Sequence, residues 1–129
     1  MATELTELLN ADHDIVEVVP DGAALIESAR RHLPDVIVSD IAMPGINGLA
    51  AAATIGTTQP AVRIVFVTVH DSRSVIKKAL DCGVRGYVLK CDAGDELFAA
   101  VRLALEGGVY LSSNARVALR RAGPDEEPH

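Results

Sequence analysis

Three short apolar runs, at residues 36–39, 62–67 and 86–89, constrain the fold of this chain more than any other feature. Their residues are mostly apolar at neighbouring positions, whereas a strand with one face in water alternates apolar and polar residues. Such runs are typical of parallel strands that helices cover on both faces. Because segments with helical spacing separate the runs, the sequence predicts an α/β fold built on a doubly wound parallel sheet.

The segments around these runs complete the predicted sheet and its helices. A further strand is predicted at residues 15–19, and residues 87–89 are predicted to form the last strand. Gly56 is expected to end one helix, and Gly83 to close the next in the left-handed conformation that glycine tolerates. The predicted helices are 3–10, 23–32, 49–55, one that Asp71 or Ser72 caps and that runs through Cys82, one that Asp92 opens and that Gly107 ends, and a short one from Ser112 or Ser113 to Arg121.

Length and charge exclude several classes of protein. At 129 residues the chain has the size of one domain, and its formal net charge of −6 offers no basic field, so direct nucleic-acid binding is not expected. No apolar run approaches the length of a membrane span, and the start Met1-Ala2-Thr3-Glu4 lacks the basic and apolar regions of a signal peptide. We therefore expect a cytoplasmic location without membrane association. Cys82 and Cys91 lack the spacing of a metal site and are expected to be reduced thiols.

Three polar residues stand at the carboxyl ends of the three runs. They are Asp40, Thr68 and Lys90. Singly, each has a plainer interpretation as a loop cap, a strand end or a surface lysine. Because parallel strands end at the same edge of a sheet, an acid, a hydroxyl and an ammonium are together expected to share one site.

This set of groups suits phosphoryl transfer. A carboxylate accepts a phosphoryl group when neighbouring groups neutralise the charge on the transferring oxygens. Asp40 is the candidate acceptor, Lys90 the candidate cation, and the Thr68 hydroxyl a donor to another oxygen. Pro44 and Gly45 are expected to shape the loop that follows the acceptor.

The sequence around these residues resembles the receiver domains of two-component response regulators, most closely the NarL/FixJ-type subgroup. The resemblance is carried by Val-Ile-Val-Ser-Asp-Ile-Ala-Met-Pro-Gly-Ile-Asn-Gly-Leu at 36–49, Val-Thr-Val-His-Asp at 67–71, Gly-Tyr-Val-Leu-Lys at 86–90 and Glu-Gly-Gly-Val-Tyr-Leu-Ser at 106–112. It implies a flavodoxin-like receiver fold over residues 1–112. Residues 113–122 are expected to form a short terminal helix, and the acidic residues 123–129 a disordered tail.

The resemblance also implies roles for single residues. Asp40 would accept phosphate from a sensor histidine kinase, Thr68 would be the switch hydroxyl, and Lys90 the paired lysine. Tyr87 would be the switch aromatic, although packing alone explains a half-buried tyrosine on a strand.

Two further positions are implied near the acceptor. The side chains of Ala42 and His70 would tune water access to the phosphate, although His70 is equally explained as a solvated loop residue. Mg²⁺ would be held by Asp40 and the backbone carbonyl of Ala42.

The amino-terminal part departs from the family pattern. A receiver begins with an apolar strand that ends in two acidic residues, which bind Mg²⁺ together with the acceptor. Here no apolar strand precedes Thr3, and Asp12 and Asp14 are interpreted as turn and cap residues. We therefore expect the first strand and its acidic pair to be absent, Mg²⁺ binding to be weak or absent, and phosphorylation to be slow or absent. The strands on either side would pair directly or recruit another chain, so a homodimer or strand exchange is expected.

Three functions are compatible with these residues. The first is a non-enzymatic receiver phosphorylated at Asp40 that acts through phosphorylation-dependent protein contacts. Its output would be an unknown protein or a helix-turn-helix domain that this chain does not contain. The second is a degenerate pseudo-receiver that binds partners without phosphorylation. The third, a phosphatase-like hydrolase, is disfavoured because Ala42 stands where that chemistry needs a general acid.

Overall fold

A parallel sheet of five strands forms the centre of the computed structural model, which describes residues 16–19, 26, 27, 29, 30, 35–40, 48–59 and 61–121. The strands are β1 (Val16–Val19), β2 (Val36–Ser39), β3 (Arg63–Thr68), β4 (Gly86–Leu89) and β5 (Tyr110–Leu111). Every neighbouring pair is parallel, and the spatial order β1-β2-β3-β4-β5 follows the chain. The predicted α/β fold with a parallel sheet is confirmed.

Four helices have described bounds; three connect these strands and the fourth follows β5. They are α1 (Gly48–Thr58), α2 (Arg73–Asp81), α3 (Lys90–Leu105) and α4 (Ser113–Arg120). Ile26, Glu27, Ala29 and Arg30 are also helical, in agreement with the helix predicted at 23–32, whereas the helix predicted at 3–10 lies outside the described residues. None of the helices in the described part of the chain is long and apolar enough to cross a membrane.

Alternate residues of the strands face two separate apolar layers. On one face Ile37, Ile64 and Phe66 pack with buried residues of α1, α2 and α4. On the other face Val36, Val38, Val65, Val67 and Val88 pack with Leu97, Ala100, Val101 and Ala104 of α3. Burial on both faces explains why the strands contain apolar residues at consecutive positions.

Strands β1 and β2 pair directly, with Val16 opposite Val36 and Val19 opposite Ser39. The expectation that no strand lies between them is therefore confirmed. Of the predicted alternatives, direct pairing of the two strands is the one that the structure shows. Because the strand order never reverses, these five strands contain no topological switch point, which is where open α/β sheets usually bind ligands.

Two predicted helix boundaries were wrong. Helix α1 continues through Gly56 to Thr58, where the hydroxyl of Thr58 donates to the carbonyl of Thr54 at 2.9 Å. A glycine within a helix costs only about 1 kcal/mol relative to alanine, so contacts of the last turn can keep Gly56 in the helical conformation. Helix α3 begins at Lys90 directly after β4, two residues before the predicted start at Asp92.

The prediction that residues 87–89 form the last strand was also wrong. Tyr110 and Leu111 add a strand beside β4, with Tyr110 opposite Gly86. Two residues are too short a stretch to show a strand pattern in the sequence. The helix ends around Ser72 and Gly83 were predicted correctly: the Ser72 hydroxyl accepts from the amide of Val75 at 3.2 Å, and Gly83 has φ of 90°.

Substitution of Gly86 by alanine is expected to lower the free energy of unfolding by about 1–3 kcal/mol, because a new methyl group would overpack the core. A Cβ at this position would lie 3.0 Å from both methyl carbons of Val65 on the neighbouring strand. Gly94 on α3 is the matched control, since a Cβ there meets nothing within 4 Å. Gly94→Ala should raise stability by about 0.5–1 kcal/mol through helix propensity. Urea denaturation of both variants tests this, and equal effects of the same sign would contradict the described packing.

Candidate functional site

Asp40 and Lys90 form an ion pair at the carboxyl edge of the sheet. Asp40 directly follows β2, and Lys90 opens α3 directly after β4. The Lys90 Nζ lies 3.1 Å from Oδ2 of Asp40, with the lysine side chain 54% exposed and the aspartate side chain 27% exposed. An exposed pair of this kind contributes at most about 1 kcal/mol to stability, so its geometry bears on chemistry more than on folding.

Thr68 ends β3 on the same edge and is fully buried. Its Oγ1 accepts a hydrogen bond from the backbone amide of His70 at 3.2 Å. The residue is therefore held by the loop that follows its own strand. His70 itself is exposed, so its backbone rather than its ring makes the contact with Thr68.

Tyr87 lies on the neighbouring strand β4 and is fully buried rather than half-buried. Its hydroxyl donates to the backbone carbonyl of His70 at 2.7 Å. Burial, followed by the nearby carboxylates of Asp40 and Asp71, raises the pKa of the phenol well above its ordinary value. Thr68 and Tyr87 thus hold the same loop residue from two strands.

Some predicted site residues lie outside the described part of the chain. They are Ala42, Pro44 and Gly45, together with Asp12 and Asp14. Their predicted roles stay predictions. The structure brings Asp40 and Lys90 into contact, and it links Thr68 and Tyr87 through His70.

A cavity lies at the opposite end of the sheet from these residues. Its volume is about 440 Å³, and it opens between α1, α2 and the amino ends of β3 and β4. None of the predicted site residues that the structure describes lines this cavity. We therefore place the candidate site at the Asp40 edge, where the groups with relevant chemistry meet.

Sequence reasoning missed a group of buried polar residues beside this edge. Asp92 and Ser112 are buried, and Glu96 accepts hydrogen bonds from the Tyr110 hydroxyl at 2.7 Å and the Ser113 amide at 3.0 Å. The sequence pattern predicts only that Asp92 opens a helix. The spacing of two acids one turn apart on α3, followed by a Ser-Ser-Asn segment, was the signal available in the sequence.

The family of response regulator receiver domains matches residues 1–102 of this chain. The chain belongs to that family. Among curated relatives, it is 32% identical over 103 residues to the transcriptional regulatory protein DegU of Brevibacillus brevis, covering 80% of this chain and 44% of the relative. The oxygen regulatory protein NreC of Staphylococcus carnosus is 30% identical over 109 residues, covering 84% of this chain and 50% of that protein. The chain thus spans about half the length of these relatives.

Solved receivers share the fold. A two-component response regulator of the LuxR family from Aurantimonas superposes with a TM-score of 0.72 at 29% identity, over 77% of this chain and 71% of that one. The signal receiver domain of the response regulator NarL from Mycobacterium tuberculosis gives a TM-score of 0.63 at 34% identity, over 67% and 70%. These matches confirm the predicted family, its NarL-type subgroup and the flavodoxin-like fold.

Receiver domains generally bind Mg²⁺ at the phosphorylation site, and that ion requires suitable ligands around the acceptor. Mg²⁺ needs near-octahedral oxygen ligation, usually including carboxylates. The described residues contain no group of three or more His, Cys, Asp or Glu side chains that could hold a metal ion. Oδ2 of Asp40 is moreover in contact with the Lys90 ammonium. The part of the receiver that the structure describes therefore does not fit a magnesium site by itself.

Proposed function

We propose that this receiver domain accepts a phosphoryl group on Asp40 from a sensor histidine kinase and transmits the signal through changed protein contacts. The observation that carries the proposal is the 3.1 Å contact between Asp40 and Lys90 at the sheet edge. It supplies a carboxylate acceptor and a cation that can neutralise the transferred group.

The transfer requires only the groups at this edge and a phosphorylated donor. A carboxylate oxygen of Asp40 forms the new bond to phosphorus, and the bond from phosphorus to the donor nitrogen breaks. The electron pair of that bond stays with the donor imidazole. Lys90 would follow the negative charge from the carboxylate to the phosphoryl oxygens.

The loop at His70 is the element that would respond. The Thr68 hydroxyl now accepts from the His70 amide, and to donate to a phosphoryl oxygen it would have to turn within the buried end of β3. Tyr87 is already buried and holds the His70 carbonyl, so both groups bias the same loop. A shift at Thr68 would therefore change the surface that follows it, where α2 begins.

The whole-protein role follows from the relatives only as a proposal. DegU is a transcriptional regulatory protein and NreC an oxygen regulatory protein, and each is about twice as long as the segment that matches this chain. We propose that this receiver is the regulated part of such a system, with its output in a DNA-binding domain or a separate protein.

A pseudo-receiver is the second candidate. The direct pairing of β1 with β2 and the lack of a carboxylate cluster among the described residues both favour it. In that case partner binding would not depend on phosphorylation.

Intact mass after incubation with a small acyl-phosphate donor distinguishes the two. We expect a single phosphoryl adduct on the wild-type chain, measured both with and without Mg²⁺. No adduct under either condition would reject the proposed receiver function and favour the pseudo-receiver.

A further inference from the structure

The first turn of α4 is hydrogen-bonded to residues on both sides of Lys90. Before the lysine, the backbone amide of Leu89 donates to Oγ of Ser112 at 3.1 Å. After it, Oδ2 of Asp92 accepts from the backbone amide of Asn114 at 2.9 Å. We call these four residues, Leu89, Asp92, Ser112 and Asn114, the clasp. The backbone of Lys90 is held between its two bonds.

Ser112 belongs to the clasp because β5 is too short to complete its pairing with β4. The amide of Ser112 donates to the carbonyl of Tyr87 at 3.0 Å, as the ladder requires. Strand β5 ends at Leu111, and the Ser112 hydroxyl takes the place of the next carbonyl as acceptor for Leu89. Ser112 occupies the N-cap position of α4, yet its hydroxyl makes no capping bond to that helix. The side chain is fully buried, and its hydroxyl accepts from the Leu89 amide of β4.

Carboxylates of α3 satisfy the amino end of α4 instead. Oδ1 of Asp92 accepts from Nδ2 of Asn114 at 2.7 Å, and Glu96 accepts from the Ser113 amide at 3.0 Å. Burial raises the pKa of Asp92, but hydrogen bonds from Ser112 and Asn114 outweigh it, so the pKa lies below its ordinary value. A charged acceptor at a helix amino end is favourable because the amides there point outward.

Helix α4 extends this connection to a second surface. Ala115 and Ala118 are buried in the apolar layer that also contains Tyr87, and Nη1 of Arg73 on α2 donates to the carbonyl of Arg121 at 3.1 Å. The clasp thus lies between the Asp40–Lys90 pair and the face formed by α2 and α4.

We infer that Ser112 and Asp92 are positioning residues for Lys90, so that docking of α4 and phosphorylation of Asp40 are reciprocally coupled. The coupling rests on the proposed function, because it requires a phosphoryl group on Asp40. The free carboxylate carries a charge of about −1 and the acyl phosphate about −2, so phosphorylation increases the negative charge beside the Lys90 ammonium. If Lys90 moves toward the phosphoryl group, the hydrogen bonds that Leu89 and Asp92 make to α4 are strained or relaxed. By thermodynamic linkage, docking of α4 then changes the free energy of phosphorylation by the same amount.

Lysine labelling tests the positioning without phosphorylation. The lysines of the chain are Lys77, Lys78 and Lys90, and a peptide map of amine acetylation separates Lys90 from the exposed pair on α2. Ser112→Ala and Asp92→Asn should each raise the labelling rate of Lys90 about threefold to thirtyfold relative to Lys77 and Lys78. The conservative Ser112→Thr should restore the slow rate.

Asp95→Asn is the matched control, since Asp95 is an exposed acid on the same helix. It should leave the Lys90 rate unchanged, and thermal melting of every variant shows that the labelled protein is folded. Unchanged Lys90 labelling in folded Ser112→Ala and Asp92→Asn, or an equal rise in Asp95→Asn, would overturn the positioning role.

Hydrogen exchange tests the coupling itself. Treatment of the wild-type chain with the acyl-phosphate donor should change the exchange rates of the Ser113 and Asn114 amides, and Ser112→Ala should abolish that change. A wild-type chain that takes up phosphate without any change at these amides would overturn the coupling. A wild-type chain that takes up no phosphate would reject the proposed function, and with it the coupling, while the labelling result still decides whether the clasp positions Lys90.

Discussion

Asp40→Asn is expected to abolish the phosphoryl adduct completely. An amide has no carboxylate oxygen that can form an acyl phosphate, so the effect is a loss rather than a slower rate. The fold should survive, because the ion pair between Asp40 and the half-exposed Lys90 contributes at most about 1 kcal/mol to stability. Intact mass before and after treatment with the acyl-phosphate donor measures the adduct.

Asp71→Asn is the sharpest control for this loss. Asp71 is an exposed carboxylate in the loop after β3, on the same edge of the sheet. Its replacement should leave the adduct in place. An adduct that persists in Asp40→Asn and disappears in Asp71→Asn would move the acceptor to Asp71 and contradict the proposed site.

Tyr87→Ala is expected to lower the free energy of unfolding by about 3–5 kcal/mol, the usual cost of removing a fully buried aromatic ring. Tyr87 has no exposed surface and is the largest fully buried side chain among the described residues. A loss of this size is a large part of the stability of a small domain. Tyr87→Phe keeps the ring and should cost only about 1 kcal/mol, for the hydrogen bond to His70. The half-buried Tyr110 is the control, and Tyr110→Ala should cost less than Tyr87→Ala.

Tyr87 also predicts how stability depends on alkaline pH. Its pKa is raised from an ordinary value of 10.0, because burial and the nearby carboxylates disfavour the phenolate. Above that value the unfolded chain loses a proton that the folded chain retains, so stability falls as the pH rises. The fall should be smaller in Tyr87→Phe and in Tyr110→Phe than in the wild type, since the folded chain raises the pKa of each phenol. Urea denaturation from pH 8 upward measures both, and identical curves for wild type and Tyr87→Phe would contradict the buried, bonded phenol.

Local chemistry made most of the fold predictable. Strands β2 and β3 are apolar on both faces. The two ends of α2 are marked by the Ser72 hydroxyl, which caps its first turn, and by Gly83, which has a positive φ. Strand β5 could not be read in the same way. Strand β5 is added at the same side of the sheet as β3 and β4 were, one position further along. Helix α3, however, covers the opposite face from α1 and α2. The β4-α3-β5 connection therefore has the opposite hand to the β2-α1-β3 and β3-α2-β4 connections. Nearly all such connections are right-handed, so topology rules argue against the strand that forms.

The candidate site was predictable where it depends on strand order and not where it depends on tertiary contacts. Asp40 and Lys90 meet because parallel strands end at one edge, which the sequence alone implies. The clasp depends on how α3 and α4 pack against each other. The local sequence predicts only that Asp92 begins a helix, yet its carboxylate accepts from the amide of Asn114 on α4. The sequence likewise predicts that Ser112 caps a helix. In the structure its hydroxyl instead accepts from the amide of Leu89, which has no backbone acceptor because β5 ends at Leu111. Such competition between local and distant partners cannot be resolved from spacing.

The position of the phosphoryl group on the chain tests the central claim most directly. After treatment with the acyl-phosphate donor, borohydride reduction converts an aspartyl phosphate to homoserine, and peptide sequencing by mass spectrometry locates the converted residue. We expect conversion at Asp40. Conversion at Asp71 or at any other acid, with Asp40 intact, would contradict the proposal that Asp40 and Lys90 form the phosphorylation site of this receiver.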